Sequence, residues 1–402
     1  MKRLSLATTV LAATMGLSLA LTGCEEKKTA PVEQPKPPPQ NEVKPPPPPP
    51  PPQKNEERAL KECAAPLELA AATDVKIGDR AATDTGYKLT FKDKDTDGTL
   101  VLGVLGPVNE DSGANMVALK KYLKFFQDEK ADAIVVTGDV GEVADGIGRV
   151  LNTLAESKLP VLVVVGNREC RADFTDGVNQ AKAAHNNVIN LNMHRAVEFP
   201  EATIVSLPGY HDPTYIACEK GCTYFKSTVD EVVKLAKEAK NPVVLVSHGP
   251  PHGEGSQALD YATAGGNVGD PQIPAAIKEG NIAFGLASNI KEAGGRATDL
   301  PGTTLIKQDT WVKALYLNPG PADTVGWDMN DGTKSAGSAA VLKIKDGQGS
   351  WKLLRLKPMT AAEKAEAKKL EPPARPEGED QKDMTKDEPS KDMGVKDAGS
   401  AK

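Results

Sequence analysis

The chain has 402 residues, with 49 Lys+Arg against 55 Asp+Glu for a formal net charge of −6, and it contains 32 Pro, 36 Gly, 5 Cys and 5 His. A slightly acidic chain (pI ≈ 5.6) with no basic stripe argues against nucleic acid as a partner. Thirteen of the 32 prolines fall between Pro31 and Pro52, including an unbroken run from Pro45 to Pro52, so the length does not divide into two average domains.

In chain order, Lys2 and Arg3 precede an apolar stretch from Leu4 to Leu21, and then come Thr22, Gly23 and Cys24. A basic start, an apolar middle and small residues before a cut site describe a secretory signal peptide over residues 1–23. The ending Leu21-Thr22-Gly23-Cys24 resembles the bacterial lipobox. That resemblance implies a mature lipoprotein with diacylglycerol, bearing palmitate-type chains, on Cys24: anchored to the membrane and not spanning it. An uncleaved span is the competing reading, since the apolar run approaches the ~20 residues a crossing needs. Polar sequence directly after the cysteine favours cleavage.

Residues 24–57 are mostly Pro, Lys, Glu and Gln, and are expected to be a disordered linker. Polyproline rises ~3.1 Å per residue, which makes this stretch a spacer between membrane and domain. Residues 58–98 are read as an N-terminal extension of the core. Within them Asp93-Lys94-Asp95-Thr96-Asp97-Gly98 mimics the start of an EF-hand loop, but Val104 holds the twelfth position, so a hairpin turn is expected. Cys63, Cys170, Cys218 and Cys222 are an even set in an exported chain and are read as two disulfides. The short Cys218–Cys222 spacing suggests pairing those two and joining Cys63 to Cys170. A zinc site is disfavoured by the oxidising compartment.

Short Val/Ile/Leu-rich runs then alternate with amphipathic segments. Expected strands are 99–105, 133–137, 161–165, 188–191, 202–207, 243–247, 282–286, 312–317 and 339–344; expected helices are 115–129, 147–157 and 227–240. This alternation predicts an α/β fold with a largely parallel, buried sheet over residues 99–358. Met359 to Lys402 hold 20 charged groups, four prolines and no aromatic, and are expected to be a disordered charged tail.

The site in such folds lies at the carboxyl ends of the strands. There the sequence places Thr137-Gly138-Asp139, Gly166-Asn167-Arg168-Glu169 and Ser247-His248-Gly249-Pro250-Pro251. With Ser288-Asn289-Ile290-Lys291-Glu292-Ala293-Gly294-Gly295 and Asn318-Pro319-Gly320, this order resembles the calcineurin-like metallophosphoesterases. The resemblance spans Thr99 to Leu356. It implies a β-sandwich flanked by helices, with two divalent ions at the strand ends that clamp a phosphate and activate water.

Carried over residue by residue, Asp139 falls on the bridging aspartate, Asn167 on the amide ligand and His248 on an imidazole ligand. Other positions depart from the pattern. Gly106 and Val108 replace an Asp-x-His pair, Arg168 replaces the histidine that donates a proton, and Asn289 and Lys291 replace two more histidines. One ion position is therefore expected to be lost. The other would keep Asp139, Asn167 and His248, with Asn289 as a weak fourth ligand, for one Mn²⁺, Zn²⁺ or Mg²⁺ or for none. Arg168 cannot act as a general acid, because a guanidinium keeps its proton at physiological pH. It could instead join Lys291 in binding an anion. His252 and His211 are read as surface loop residues rather than ligands, though His252 lies close enough to His248 to be a replacement, and His185 and His194 carry no pattern.

The expected function is that of a lipid-anchored envelope protein, in the outer membrane or on the periplasmic face, with a metallophosphoesterase-like domain. Phosphoester hydrolysis is weakened or lost, and a phosphate-containing ligand or an envelope protein is bound. The alternatives are an active single-metal phosphoesterase and a structural envelope module.

Overall fold

Strands buried on both faces need continuous apolar runs, and the inner strands of this chain have them. The computed structural model describes residues 63–92 and 97–373. The leader, Cys24, the Pro-rich linker, residues 93–96 and everything beyond 373 lie outside the described residues. Three strands open the described chain: β1 (Leu69–Ile77), β2 (Arg80–Gly86) and β3 (Lys88–Phe91). Next, β4 (Thr99–Leu105), β5 (Ala133–Val136), β6 (Val161–Val163) and β7 (Val188–Asn190) alternate with α1 (Gly113–Asp128), α2 (Ala144–Ala155) and α3 (Arg171–Ala184). The second half contains β8 (Ala196–Glu198), β9 (Thr203–Leu207), α4 (Lys226–Glu238), β10 (Val243–Ser247), α5 (Gln272–Glu279) and β11 (Phe284–Leu286). It closes with β12 (Arg296–Thr298), β13 (Leu305–Ile306), β14 (Leu315–Asn318), β15 (Ser338–Lys345), β16 (Gln348–Arg355) and α6 (Ala361–Leu370).

These strands form two mixed sheets rather than one largely parallel sheet. The six-stranded sheet has the order β16-β15-β4-β5-β6-β7, and the ten-stranded sheet the order β1-β2-β3-β8-β9-β10-β11-β14-β12-β13. Each keeps a parallel centre, β4 to β7 in one and β9, β10, β11 and β14 in the other. Antiparallel strands extend the six-stranded sheet at its β15–β16 edge and the ten-stranded sheet at both edges.

Side-chain alternation explains the layering. In β4, Leu100, Leu102 and Val104 join a core with Val197, Ile204, Val244, Val246, Phe284 and Leu317 of the other sheet. Val101 and Leu105 point the opposite way, into a core with α1, α2 and α3 residues such as Leu119, Phe126, Leu151 and Phe174. The outer face of the ten-stranded sheet packs on α4 and α5 through Val205, Leu245, Val232 and Ile277. The architecture is helix, sheet, sheet, helix, a β-sandwich flanked by helices. Full burial contributes roughly 1.5–3 kcal/mol per Val, Leu, Ile or Phe side chain.

Several expectations need correction. The EF-hand-like segment lies mostly outside the described residues, and the strands on either side of it, β3 and β4, belong to different sheets. Residues 69–91, read as an extension, supply three strands of the ten-stranded sheet. The segment read as a disordered tail from Met359 begins with α6, whose Thr360–Glu363 capping box donates Thr360 N–H to Glu363 Oε2 at 2.8 Å. Lys120–Glu366 and Lys121–Glu363 ion pairs hold that helix on α1.

The cysteines pair as Cys63–Cys222 and Cys170–Cys218, not as the spacing suggested. The Gly221 N–H donates to the Cys218 carbonyl at 2.8 Å, and Cys170 forms an isolated β-bridge with Gly221. That turn brings Cys218 to Cys170 at the start of α3, while Cys222 enters the core, fully buried.

Candidate metal centre

The two sheets deliver their functional side chains to one place because their parallel strands end together. Asp139 follows β5 and Asn167 follows β6, both from the six-stranded sheet; His248 follows β10 and Asn289 follows β11, from the ten-stranded one. The turn after β5 is tight: Gly138 has φ +96° and Asp139 φ +55°. A Cβ at position 138 would lie 2.7 Å from His248 Nδ1, so only glycine admits the imidazole there. Left-handed backbone at Asp139 is held by its carbonyl, which accepts N–H bonds from Val108 at 2.9 Å and Asn109 at 2.8 Å.

Asp139 and His248 are buried at 1% and 0% exposure. Asp139 Oδ1 accepts the backbone N–H groups of Asn167 and Arg168, each at 3.1 Å. His248 Nδ1 lies 2.8 Å from the Thr137 carbonyl, which fixes Nδ1 as the donor. Its other nitrogen, Nε2, faces Asn167 Oδ1 at 2.8 Å, Asn289 Oδ1 at 3.1 Å and Asp139 Oδ1 at 3.3 Å. Asn167 is turned by donation of its Nδ2 to the Tyr215 carbonyl at 2.5 Å.

A neutral imidazole with its proton on Nδ1 presents a lone pair at Nε2, and here that lone pair meets acceptors. Either a second proton or a shared cation reconciles the contacts. The distances fit a cation: cis ligands at 2.0–2.1 Å in an octahedral shell lie about 3 Å apart. The donor set is one nitrogen, one carboxylate oxygen and two amide oxygens, suited to Mn²⁺, Mg²⁺ or Zn²⁺ but short of carboxylates and imidazoles. Among the described residues no group of three or more His, Cys, Asp or Glu side chains is placed to hold a metal. All four residues expected at this position are thus brought together.

Position 106, where the resemblance implies an aspartate, has no room for a side chain. A Cβ on Gly106 would lie 2.1 Å from the Gly320 carbonyl oxygen and 3.2 Å from Ser288 Cβ. Val108 is fully buried in the helix-side core. The Asn318-Pro319-Gly320 turn packed against Gly106 is fixed by Asn318, whose Nδ2 donates to the Ile290 carbonyl at 2.8 Å.

Neither candidate anion-binding cation stands alone. The Arg168 guanidinium pairs with Glu142. The Lys291 ammonium sits 4.6 Å from the centre of the Trp327 ring, and its charge acts on buried Asp323. Among the histidines, His252 turns to Asp260, with Nδ1 at 3.5 Å from a carboxylate oxygen. His194 pairs with Asp84, and His185 follows the last turn of α3. The His211 ring packs on Tyr210 at 4.6 Å between centroids. Burial pushes the His211 imidazole down, against the pull of Asp270 and Asp212.

Two contributors were not singled out from sequence. Tyr210 accepts from Asn289 Nδ2 at 2.9 Å, and burial pushes its hydroxyl up to about 12. Glu169, wholly buried, joins the two ligand loops: Oε1 accepts from Val140 N–H at 2.6 Å and Oε2 from Gly166 N–H at 2.9 Å. The acidic fourth residue of Gly166-Asn167-Arg168-Glu169 was its only signal. Burial first, and the Asp139 charge second, push the Glu169 carboxyl from 4.5 up to about 8.

A raised folded-state value means that the folded chain retains this proton while the unfolded chain has released it. Glu169 therefore lowers stability as pH rises from about 4.5 to about 8. Glu169→Gln removes that titration, but sets an amide NH₂ against one of the two backbone donors at a cost of about 1–3 kcal/mol. Urea unfolding at pH 5 and pH 8 is expected to show lower stability for the variant at pH 5 and a smaller fall between the two.

Residues 83–277 match the family model described as calcineurin-like phosphoesterase. No curated protein sequence matches the chain. Solved structures resemble it at low identity. A protein of Thermus thermophilus is 14% identical over 63% of this chain and 98% of its own, with a TM-score of 0.44. A dimetal phosphatase from Danio rerio is 15% identical over 64% and 96%, at 0.41. GAP50, the anchor in the inner membrane complex of Plasmodium, is 12% identical over 69% and 98%, at 0.39.

Proposed function

The chain carries a calcineurin-like phosphoesterase domain, matched over residues 83–277, and from that premise we propose an exported protein, anchored through lipidated Cys24, whose domain holds a single divalent cation and has weakened or lost phosphoester hydrolysis. One observation carries the cation: His248 Nε2 faces the oxygens of Asp139 and Asn167 while Nδ1 is committed to the Thr137 carbonyl. His248, Asp139, Asn167 and Asn289 would hold the ion. When bound, it supplies Lewis-acid polarisation of a phosphoryl oxygen.

The chain's own residues support the weakened chemistry. Arg168 stands where the family donates a proton to the leaving group, and a guanidinium keeps its proton. Gly106, packed against the Gly320 carbonyl, supplies no ligand where the resemblance implies an aspartate. An anionic ligand, phosphate or phosphoester, would draw on Arg168 and Lys291 in competition with Glu142 and Trp327. Anion binding through these two residues is thus a weak, competitive component of the proposal. The stalk and anchor would place this domain at an envelope membrane, where a protein partner is the other candidate.

Expression with the native leader in a bacterial host, followed by fractionation and assay, tests the whole reading. The wild-type chain is expected in the membrane fraction and a Cys24→Ser variant in the soluble one. The purified domain in Mn²⁺ is expected to hydrolyse an aryl phosphate at or near the buffer rate. Wild-type protein in the soluble fraction would sink the anchor. Rapid hydrolysis abolished by His248→Ala would replace this reading with an active single-metal phosphoesterase.

A further inference from the structure

Of the four cation ligands, Asn167 is oriented by a segment outside both sheets. Its Nδ2 donates to the Tyr215 carbonyl at 2.5 Å, and its own carbonyl accepts the Ala217 N–H at 2.9 Å. An asparagine side chain has nearly the same shape either way round. What turns its oxygen rather than its nitrogen to a cation is the acceptor that engages the NH₂ group. Here that acceptor belongs to the segment 212–222, whose regular structure is one 3-10 turn, Pro213–Tyr215.

That segment is stapled where it matters. Cys218 is bonded to Cys170, three positions after Asn167 in the chain. The Arg171 N–H donates to the Lys220 carbonyl at 3.1 Å, and Cys170 bridges to Gly221. Asn167, Cys170, Cys218 and Tyr215 thus close a ring through backbone, disulfide and hydrogen bond. The second bridge, Cys63–Cys222, ties the same segment to the N-terminal side and takes no part in that ring. Cys170 and Cys218 are only partly buried, so a reductant can reach them.

We propose that the Cys170–Cys218 disulfide positions Asn167 as an oxygen ligand through the Tyr215 carbonyl, so that cation affinity is linked to the redox state of this bridge. The inference rests on the single-cation reading above. Loss of a partner that orients a ligand typically weakens metal binding 10–100-fold.

The test compares Cys170→Ser/Cys218→Ser with Cys63→Ser/Cys222→Ser in the mature chain. Mn²⁺ affinity is read by calorimetry, and amide hydrogen exchange at Ala217 is read in cation-free protein. The first variant is expected to bind Mn²⁺ at least about 10-fold more weakly and to lose protection at Ala217. The second cuts a crosslink spanning 159 residues rather than 48 and is expected to lose more stability. It should nevertheless keep its Mn²⁺ affinity and its Ala217 protection. Should the first variant not fold, reduction and alkylation of folded wild-type protein, with the opened bridge identified by peptide mass, gives the same comparison. Unchanged affinity in the first variant, or losses in both that track stability alone, overturns the positioning role while the cation site stands. Wild-type protein that binds no Mn²⁺ removes the site and the inference together.

Discussion

His248→Ala is expected to abolish divalent-cation binding and to lower the unfolding free energy by about 3 kcal/mol. The imidazole is fully buried and supplies the one nitrogen of the four-ligand set. Its removal leaves the Thr137 carbonyl without the donor 2.8 Å away and leaves Asp139, Asn167 and Asn289 as an all-oxygen remnant. A buried group deprived of its partner costs about 1–3 kcal/mol, and the vacated ring volume adds a cavity term. Calorimetric Mn²⁺ titration and urea unfolding read the two effects separately. Mn²⁺ binding at wild-type affinity in the variant would show that the ion sits elsewhere.

Gly106→Asp is the substitution that would restore the family's aspartate, and it is expected to destabilise the domain by about 3 kcal/mol or more without creating a second ion position. A Cβ there would lie 2.1 Å from the Gly320 carbonyl oxygen, far inside contact distance. Relief requires moving a turn locked by Asn318, which donates to the Ile290 carbonyl and whose own carbonyl accepts the Gly295 N–H at 2.9 Å. The new carboxylate would also be buried with Lys291 turned away onto Trp327, so its desolvation adds to the steric cost. Unfolding midpoint and metal stoichiometry measured together decide the matter: a stable variant that binds two ions would mean the second position is only one residue from function.

The parts of the fold that were legible share a physical cause. Strands such as Thr99–Leu105 and Val243–Ser247 are buried on both faces, so their sequences are continuous apolar runs that composition alone reveals. The edge strand Leu69–Ile77 carries mostly exposed residues, Leu-Ala-Ala-Ala-Thr-Asp-Val-Lys-Ile, and has no such signature. The helix Ala361–Leu370 was hidden by its charge, although Thr360 and Glu363 stood at capping-box spacing. Disulfide pairing depends on which loops the two sheets bring together, and no spacing along the chain encodes that. That Asp139, Asn167, His248 and Asn289 meet was readable because motif order survives at the strand ends. The occupation of Arg168 by Glu142 and of Lys291 by Trp327 was not, since Glu142 comes from a loop and Trp327 from a two-residue strand, neither with a pattern of its own.

The central claim is that two sheets converge on one cation position and that the second, with Gly106 in place of its aspartate and no room for a side chain there, holds no ion. The most direct measurement is the Mn²⁺ stoichiometry of the purified soluble domain by calorimetry, with elemental analysis of the same sample. One ion per chain, absent from His248→Ala, is the expected result. Two ions per chain, or one that persists in His248→Ala, would contradict it.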